Sequence, residues 1–258
     1  MSNVCISNLS YQIANRPILS DINITIAPGA LVVVLGSNGA GKSSLMKCAL
    51  GLFTPSHGSV TVDDIPVQSL SSIDKARRLA YLPQRRPMAW PIQVKDVVAL
   101  GRFAYGASIG RLHGADERAV ESALSACDLD ELKHRRIDTL SGGETTRVHC
   151  ARTFAAEAPL LFADEPTTAL DPRHQLDIMQ RLKSYVSAER GAFVVAHEPG
   201  LAARFADTLV WMKDGAIIAT GTPADTLTPD MLETVYGIEA KVSFDEDHPV
   251  VDMVGPVS

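Results

Sequence analysis

Residues Gly36-Ser37-Asn38-Gly39-Ala40-Gly41-Lys42-Ser43 match G-x-x-x-x-G-K-[S/T], and this loop constrains the fold more than any other stretch of the chain. It works only between a buried strand and a helix. The small residues let backbone N–H groups turn inward around an anion, and the helix N-terminus behind them adds partial positive charge. Both neighbours are expected here. Leu31 to Leu35 is a solid apolar run, as suits a strand covered on both faces. Leu45, Cys48, Ala49 and Leu52 fall at i, i+3, i+4 and i+7, which predicts a helix from Lys42 to about Leu50, stopped near Gly51. Lys42 can reach β- and γ-phosphates, and the Ser43 hydroxyl can ligate Mg²⁺.

Short strands are expected on both sides of a helical block. Ile22 to Ile26 and Ser59 to Val62 alternate with period two. Buried runs recur at Leu160–Ala163, Phe193–Ala196 and Leu209–Met212, and Lys213-Asp214-Gly215 predicts a hairpin turn into Ala216–Ala219. Between them, Asp116–Cys127 and Gly143–Ala156 read as helices, with another at Asp177–Ala188. The pattern predicts an α/β core carrying an inserted helical subdomain. The acidic, Pro-containing stretch 243–258 is expected to be a loosely held tail. Its Asp245-Glu246-Asp247-His248 reads as solvated, with a bound cation as the alternative.

Of 258 residues, 46% are apolar, which excludes disorder for the bulk, and the net charge of −6 argues against a general nucleic-acid binder. Cys5, Cys48, Cys127 and Cys150 lack metal-ligand or disulfide spacing and read as reduced, buried residues. His113, His134, His149 and His174 do not cluster as ligands. No signal peptide or membrane-spanning run is visible, so a cytoplasmic location is expected.

A second chemical element follows the strand at Leu160–Ala163. Asp164 and Glu165 end it, where Asp164 can hold Mg²⁺ and Glu165 can orient an attacking water. Beside a phosphate loop, these carboxylates imply a nucleoside-triphosphate hydrolase. Leu140-Ser141-Gly142-Gly143-Glu144 could form another anion-binding tip at a helix start, or only a helix cap with Glu144 in the first turn. Two phosphate tips in one chain suggest that the second serves a nucleotide held by another subunit.

With these motifs in order, the sequence resembles the nucleotide-binding subunit of an ATP-binding-cassette transporter, from about Val4 to Val242. Gly36, Ser37, Asn38, Gly39, Ala40, Gly41, Lys42, Ser43 and Ser44 match Walker A, and Gln84 matches the Q-loop. Ser141, Gly142, Gly143 and Glu144 match the signature, Asp164 and Glu165 end Walker B, Asp171 matches the D-loop, and His197 matches the switch histidine. Tyr11 stands where the family stacks an aromatic ring on adenine; packing at a strand edge is its alternative. The resemblance implies an α/β fold: a P-loop NTPase core (about 1–84 and 159–242) with an N-terminal antiparallel β subdomain and an inserted α-helical subdomain (about 85–158). It further implies an ATPase using ATP and Mg²⁺, with Glu165, His197, Gln84 and Lys42 catalytic and with Ser43, Gln84 and Asp164 on the metal. Two copies would pack head to tail, each ATP lying between Walker A of one and the signature of the other. Asp171 would communicate across the dimer.

The finer resemblance is to ATPases of bacterial importers for iron–siderophore complexes, haem and cobalamin. Arg77 to Gln84, Val94 to Arg102, Asp164 to Gln175, Gly221 to Pro223 and Val235 to Ile238 carry it. It implies uptake through separate integral-membrane permease subunits, with a substrate-binding protein as an indirect partner, at the cytoplasmic face of the inner membrane. Iron–siderophore is the first expected cargo, then haem, then cobalamin, with zinc or manganese last. The insert Gln84–Gly114 would receive a permease helix, although Pro87, Trp90, Pro91, Phe103 and Tyr105 could equally be packing. Glu144, Thr145-Thr146, Glu198 and Ala163 depart from the usual family residues without removing a phosphate contact or the base. A soluble, non-transport cassette ATPase is the alternative from another class, but neither a second cassette nor a basic arm is present.

Overall fold

The computed structural model describes residues 2–84, 91–108, 110–245 and 248–257. β1 (Val4–Ile13) and β2 (Arg16–Ile26) form a hairpin, after which β3 (Leu31–Gly36) delivers the phosphate loop and α1 (Lys42–Ala49) leaves it. β4 (His57–Val62) and β5 (Ile65–Pro66) return to the hairpin. α2 (Ser72–Arg78) and β6 (Leu79–Leu82) then lead to Gln84, and α3 (Val94–Ala99), α4 (Ala115–Ala126) and α5 (Gly142–Ala155) make up the helical stretch. Strands and helices next alternate through β7 (Leu160–Asp164), α6 (Pro172–Tyr185), β8 (Gly191–Val195), α7 (Pro199–Phe205) and β9 (Thr208–Lys213). β10 (Ala216–Gly221), α8 (Pro223–Thr226), α9 (Pro229–Tyr236), β11 (Ile238–Asp245) and β12 (His248–Pro256) complete the order.

The first sheet is antiparallel, in the order β2-β1-β4-β5. The second runs β10-β9-β3-β8-β7-β6 and is parallel except for its edge hairpin strand β10. The period of two decides where its apolar runs point. Leu31, Val33 and Leu35 face the helices, with Leu161 and Ala163 beside them. Val32 and Val34 face the antiparallel sheet and α1, with Leu160, Phe162 and Phe193. A strand covered on both faces must be apolar at every position, and β3, β7 and β8 are buried throughout.

Local chemistry sets several element ends. Asp171 caps α6 by accepting from the His174 N–H at 3.0 Å, and Pro172 opens the first turn. The helix therefore begins before the Asp177 predicted from periodicity. At the β9–β10 turn, Asp214 and Gly215 both have positive φ (48° and 81°), as a two-residue hairpin needs. α2 and β6 escaped the sequence reading because both are too short for a periodic signal.

The expected loose tail is instead structured. β11 and β12 pair from Ile238↔Pro256 to Asp245↔His248, so residues 243–245 and 248–256 belong to paired antiparallel strands. Its Val242↔Val251 pair packs against the main core, a contact that the acidic composition concealed. Glu246 and Asp247 lie outside the described residues.

Asp207 pins the start of β3. One carboxylate oxygen accepts from the buried Leu31 N–H at 2.8 Å, and the other pairs with Lys183 at 2.6 Å. Asp207→Ala orphans that N–H and is expected to cost about 1–3 kcal/mol, read as a lower urea midpoint. Asp207→Asn keeps an acceptor and is expected to lose less.

Candidate active site

Four neighbouring parallel strands, β3, β8, β7 and β6, end on one edge of the sheet and deliver the phosphate loop, His197, Asp164-Glu165 and Gln84 respectively. This is where open α/β sheets place ligands. The register holds across the seam: Val34 and Asp164 both pair with Val195, and the Glu165 N–H continues to the Val195 carbonyl at 3.1 Å.

The loop is wound around its own lysine. Lys42 Nζ donates to the carbonyls of Gly36 (2.6 Å) and Ser37 (3.0 Å) while the side chain lies buried. Gly41 turns the chain into α1 at φ 96°, where a Cβ would sit 2.7 Å from the Leu19 side chain. Burial lowers the Lys42 pKa, opposed by the carboxylates of Glu165 and Asp164. Asp164 is raised, by burial first and by the like charge of Glu165, against a 2.9 Å hydrogen bond from the Ser43 hydroxyl. Ser43 and Asp164 together present the hard oxygen pair that Mg²⁺ takes from protein, so the residues fit that cation.

Glu165 is held from several sides. Gln84 Nε2 donates to one carboxylate oxygen, Thr168 Oγ1 donates to the same oxygen at 3.1 Å, and His197 Nε2 meets the other. With the Gln84 amide nitrogen on Glu165, only its carbonyl oxygen has the chemistry to ligate a cation. Glu165 itself sits at φ 48°, a left-handed turn at the strand end.

Asn38 to Ser44, Glu165 and His197 line a common cleft together with Ile13 and Ile18. The cleft has a volume of about 260 Å³. Tyr11 does not line it. Its ring stacks on Phe53 instead (centroids 5.2 Å apart, planes at 16°), and β1 shifts register on both sides of it. The strand-packing alternative holds for Tyr11, and the apolar groups at the cleft are Ile13 and Ile18. The sequence offered no sign of that exchange.

Ser141, Gly142, Gly143, Glu144 and Asp171 also lie outside the cleft. Ser141 caps α5 in a reciprocal box: its hydroxyl accepts from the Glu144 N–H at 3.3 Å, and its own N–H donates to the Glu144 carboxylate at 2.8 Å. That backbone bond lowers the Glu144 pKa. Hydrogen bonds from His174 likewise lower Asp171. Tyr236, unassigned from sequence, accepts from the Gly36 N–H at 3.2 Å and so holds the start of the loop; burial raises its pKa to about 12.

The sequence profile described as ABC transporter matches residues 19–168. The chain belongs to the ABC transporter family. Hemin import ATP-binding protein HmuV of Bordetella pertussis is 40% identical over 245 residues, 91% of this chain and 92% of that protein. A metal-chelate type ABC transporter in an inward-facing conformation has the same fold, with TM-score 0.82 at 22% identity over 100% of this chain and 98% of that one. The ATP-binding cassette MJ0796, solved as a dimer with ADP and Pi, gives TM-score 0.72 at 25% identity over 85% and 98%. This chain is an ABC ATPase that uses ATP with Mg²⁺.

Asp164 links stability to function. Its folded pKa lies above the unfolded value, so its contribution favours folding at low pH and is lost as pH rises through the folded value. Asp164→Asn is therefore expected to raise the melting temperature of nucleotide-free protein near pH 7 by about 2–4 °C, while abolishing Mg²⁺-dependent hydrolysis. Thermal scans from about pH 4 to pH 7 check the sign, since the gain must shrink as the pH falls.

Proposed function

We propose that two copies of this chain close head to tail on ATP and that hydrolysis drives haem uptake through a separate membrane permease. The observation that carries the catalytic part is Glu165, oriented by Gln84, Thr168 and His197 beside the phosphate loop. In this reading its carboxylate takes a proton from water as the water oxygen bonds to the γ-phosphorus and the bond to the β-phosphate oxygen breaks. Lys42 and the loop N–H groups from Ser37 to Ser44 hold the phosphates, and His197 donates to the γ-phosphate. Ser43, Asp164 and the Gln84 carbonyl oxygen would hold Mg²⁺, whose positive charge would offset that of the phosphates. Ile13 and Ile18 offer the adenine an apolar rest in place of the Tyr11 ring.

Ser141, Gly142 and Gly143 lie outside the cleft, and in this reading those of a second copy would cap the γ-phosphate, with Glu144 holding that tip and Asp171 at the seam. Glu165→Gln is expected to bind ATP, lose turnover by about 10²–10⁴-fold and accumulate as an ATP-bound dimer on gel filtration. Unchanged turnover would remove Glu165 as the base.

A permease has an apolar face to meet. Leu50, Leu52, Ala76, Leu79 and Tyr81 line a cleft of about 250 Å³ on the chain leading to Gln84, and the nearby Leu52, Ile73 and Phe103 are 58%, 55% and 53% exposed. Among the insert aromatics, Tyr105 is packing: Arg102 lies 3.8 Å from its ring centre and its hydroxyl donates to the Ala156 carbonyl. Pro87 and Trp90 lie outside the described residues. No helix among the described residues is long and apolar enough to cross a membrane.

Haem displaces iron–siderophore as the first cargo because the similar Bordetella protein is named for hemin import. Deleting the gene and following labelled haem, ferric siderophore and cobalamin tests this. Loss of haem uptake alone, restored by wild type but not by Glu165→Gln, is expected; loss of siderophore uptake instead would return the first choice to that cargo.

A further inference from the structure

The first turn of α6 touches three motifs that serve different parts of the reaction. At its start, Asp171 accepts from the His174 backbone N–H at 3.0 Å, and its second oxygen lies 2.7 Å from His174 Nδ1. The His174 ring then lies against the signature helix. A Cβ on the buried Gly143 would meet ring atoms Cδ2 and Nε2 at 2.4 and 2.6 Å. Gly143 lies in α5 with no unusual backbone angle, so it is the ring's approach that leaves no room for a Cβ while His174 lies where it does. One residue on, Gln175 Nε2 donates to Glu198 Oε1 at 2.7 Å. Glu198 follows His197, which meets Glu165.

We propose that His174 and Gln175 are positioning residues that couple the signature tip to the switch end of the same subunit. The inference rests on the head-to-tail reading. There, the Ser141-Gly142-Gly143 tip serves the partner's ATP while His197 and Glu165 serve the subunit's own. Phosphate arriving at the tip presses on Gly143, against which His174 is seated. The ring and Gln175 ride on one helical turn anchored by Asp171, so a shift of that turn is passed to Glu198 and His197. Each subunit thereby senses that the other site is filled before it hydrolyses its own ATP. The carrier is a contiguous set of packed and hydrogen-bonded groups, which is the physical requirement for such coupling.

A connector in series has a kinetic signature that separate structural contacts lack, because cutting it once is as damaging as cutting it twice. In steady-state hydrolysis by the purified chain, His174→Ala and Gln175→Ala are each expected to lower kcat about tenfold, with KM for ATP within about twofold of wild type. The double variant should be no slower than the slower single one. Combining Gln175→Glu with Glu198→Gln reverses donor and acceptor and should restore most of the rate lost by either alone. Losses that multiply to about a hundredfold in the double variant, a rise in KM without a fall in kcat, no loss in either single variant, or failure of the exchange would each overturn the coupler. Gel filtration of Glu165→Gln with ATP separates the two ideas. If no dimer is trapped, the head-to-tail reading fails and takes the coupler with it. If the dimer is trapped and the kinetic signature is missing, the coupler alone fails.

Discussion

Parallel pairing of β6, β7, β8 and β3 is the constraint on which the rest of the molecule depends. Strands that run the same way end on the same edge, so four loops distant in sequence meet within hydrogen-bonding reach. Gln84 and Glu165 are 81 residues apart in the chain and touch only because β6 and β7 pair in register, Leu82 beside Ala163. Reversing any of these strands would carry its loop to the far edge. Coverage on both faces then follows, since parallel strands need crossovers and the crossovers bury the sheet. Hence the apolar runs at Leu31–Leu35 and Leu160–Ala163.

That arrangement places charge where water is scarce. Lys42 and Asp164 are buried, and Asp164 lies next to the second carboxylate of Glu165. Burial disfavours the charged form of both, lowering the lysine and raising the aspartate. The loop offsets part of this by giving the lysine its own carbonyls and Asp164 the Ser43 hydroxyl. These contacts hold the buried lysine and aspartate in place from within the chain.

The Ser141-Gly142-Gly143 tip is stiffened by the capping box with Glu144 and seated on His174, away from the cleft. The helix-cap reading of that segment is the one its hydrogen bonds show. It is a well-capped helix start, and its glycine N–H groups stand at an end of the kind that binds anions.

The chain's chemical kit was legible without coordinates. The phosphate loop, the Asp164-Glu165 pair, the Ser-Gly-Gly tip and their order rest on spacing and residue type, which local sequence carries in full. Helix and strand types followed from periods of 3.6 and 2 for much of the core, but not for α2, β6 or the β11–β12 pair. Tertiary structure decided what local sequence cannot encode. It turned Tyr11 onto Phe53 and put Ile13 and Ile18 at the cleft, because strand irregularity and packing against a distant residue set a ring's direction. It built residues 243–245 and 248–256 into paired strands through a valine pair meeting the core, and it joined Gln84, Glu165 and His197. The physical reason is common to these cases: each depends on which distant backbone lies alongside, and only the folded register determines that.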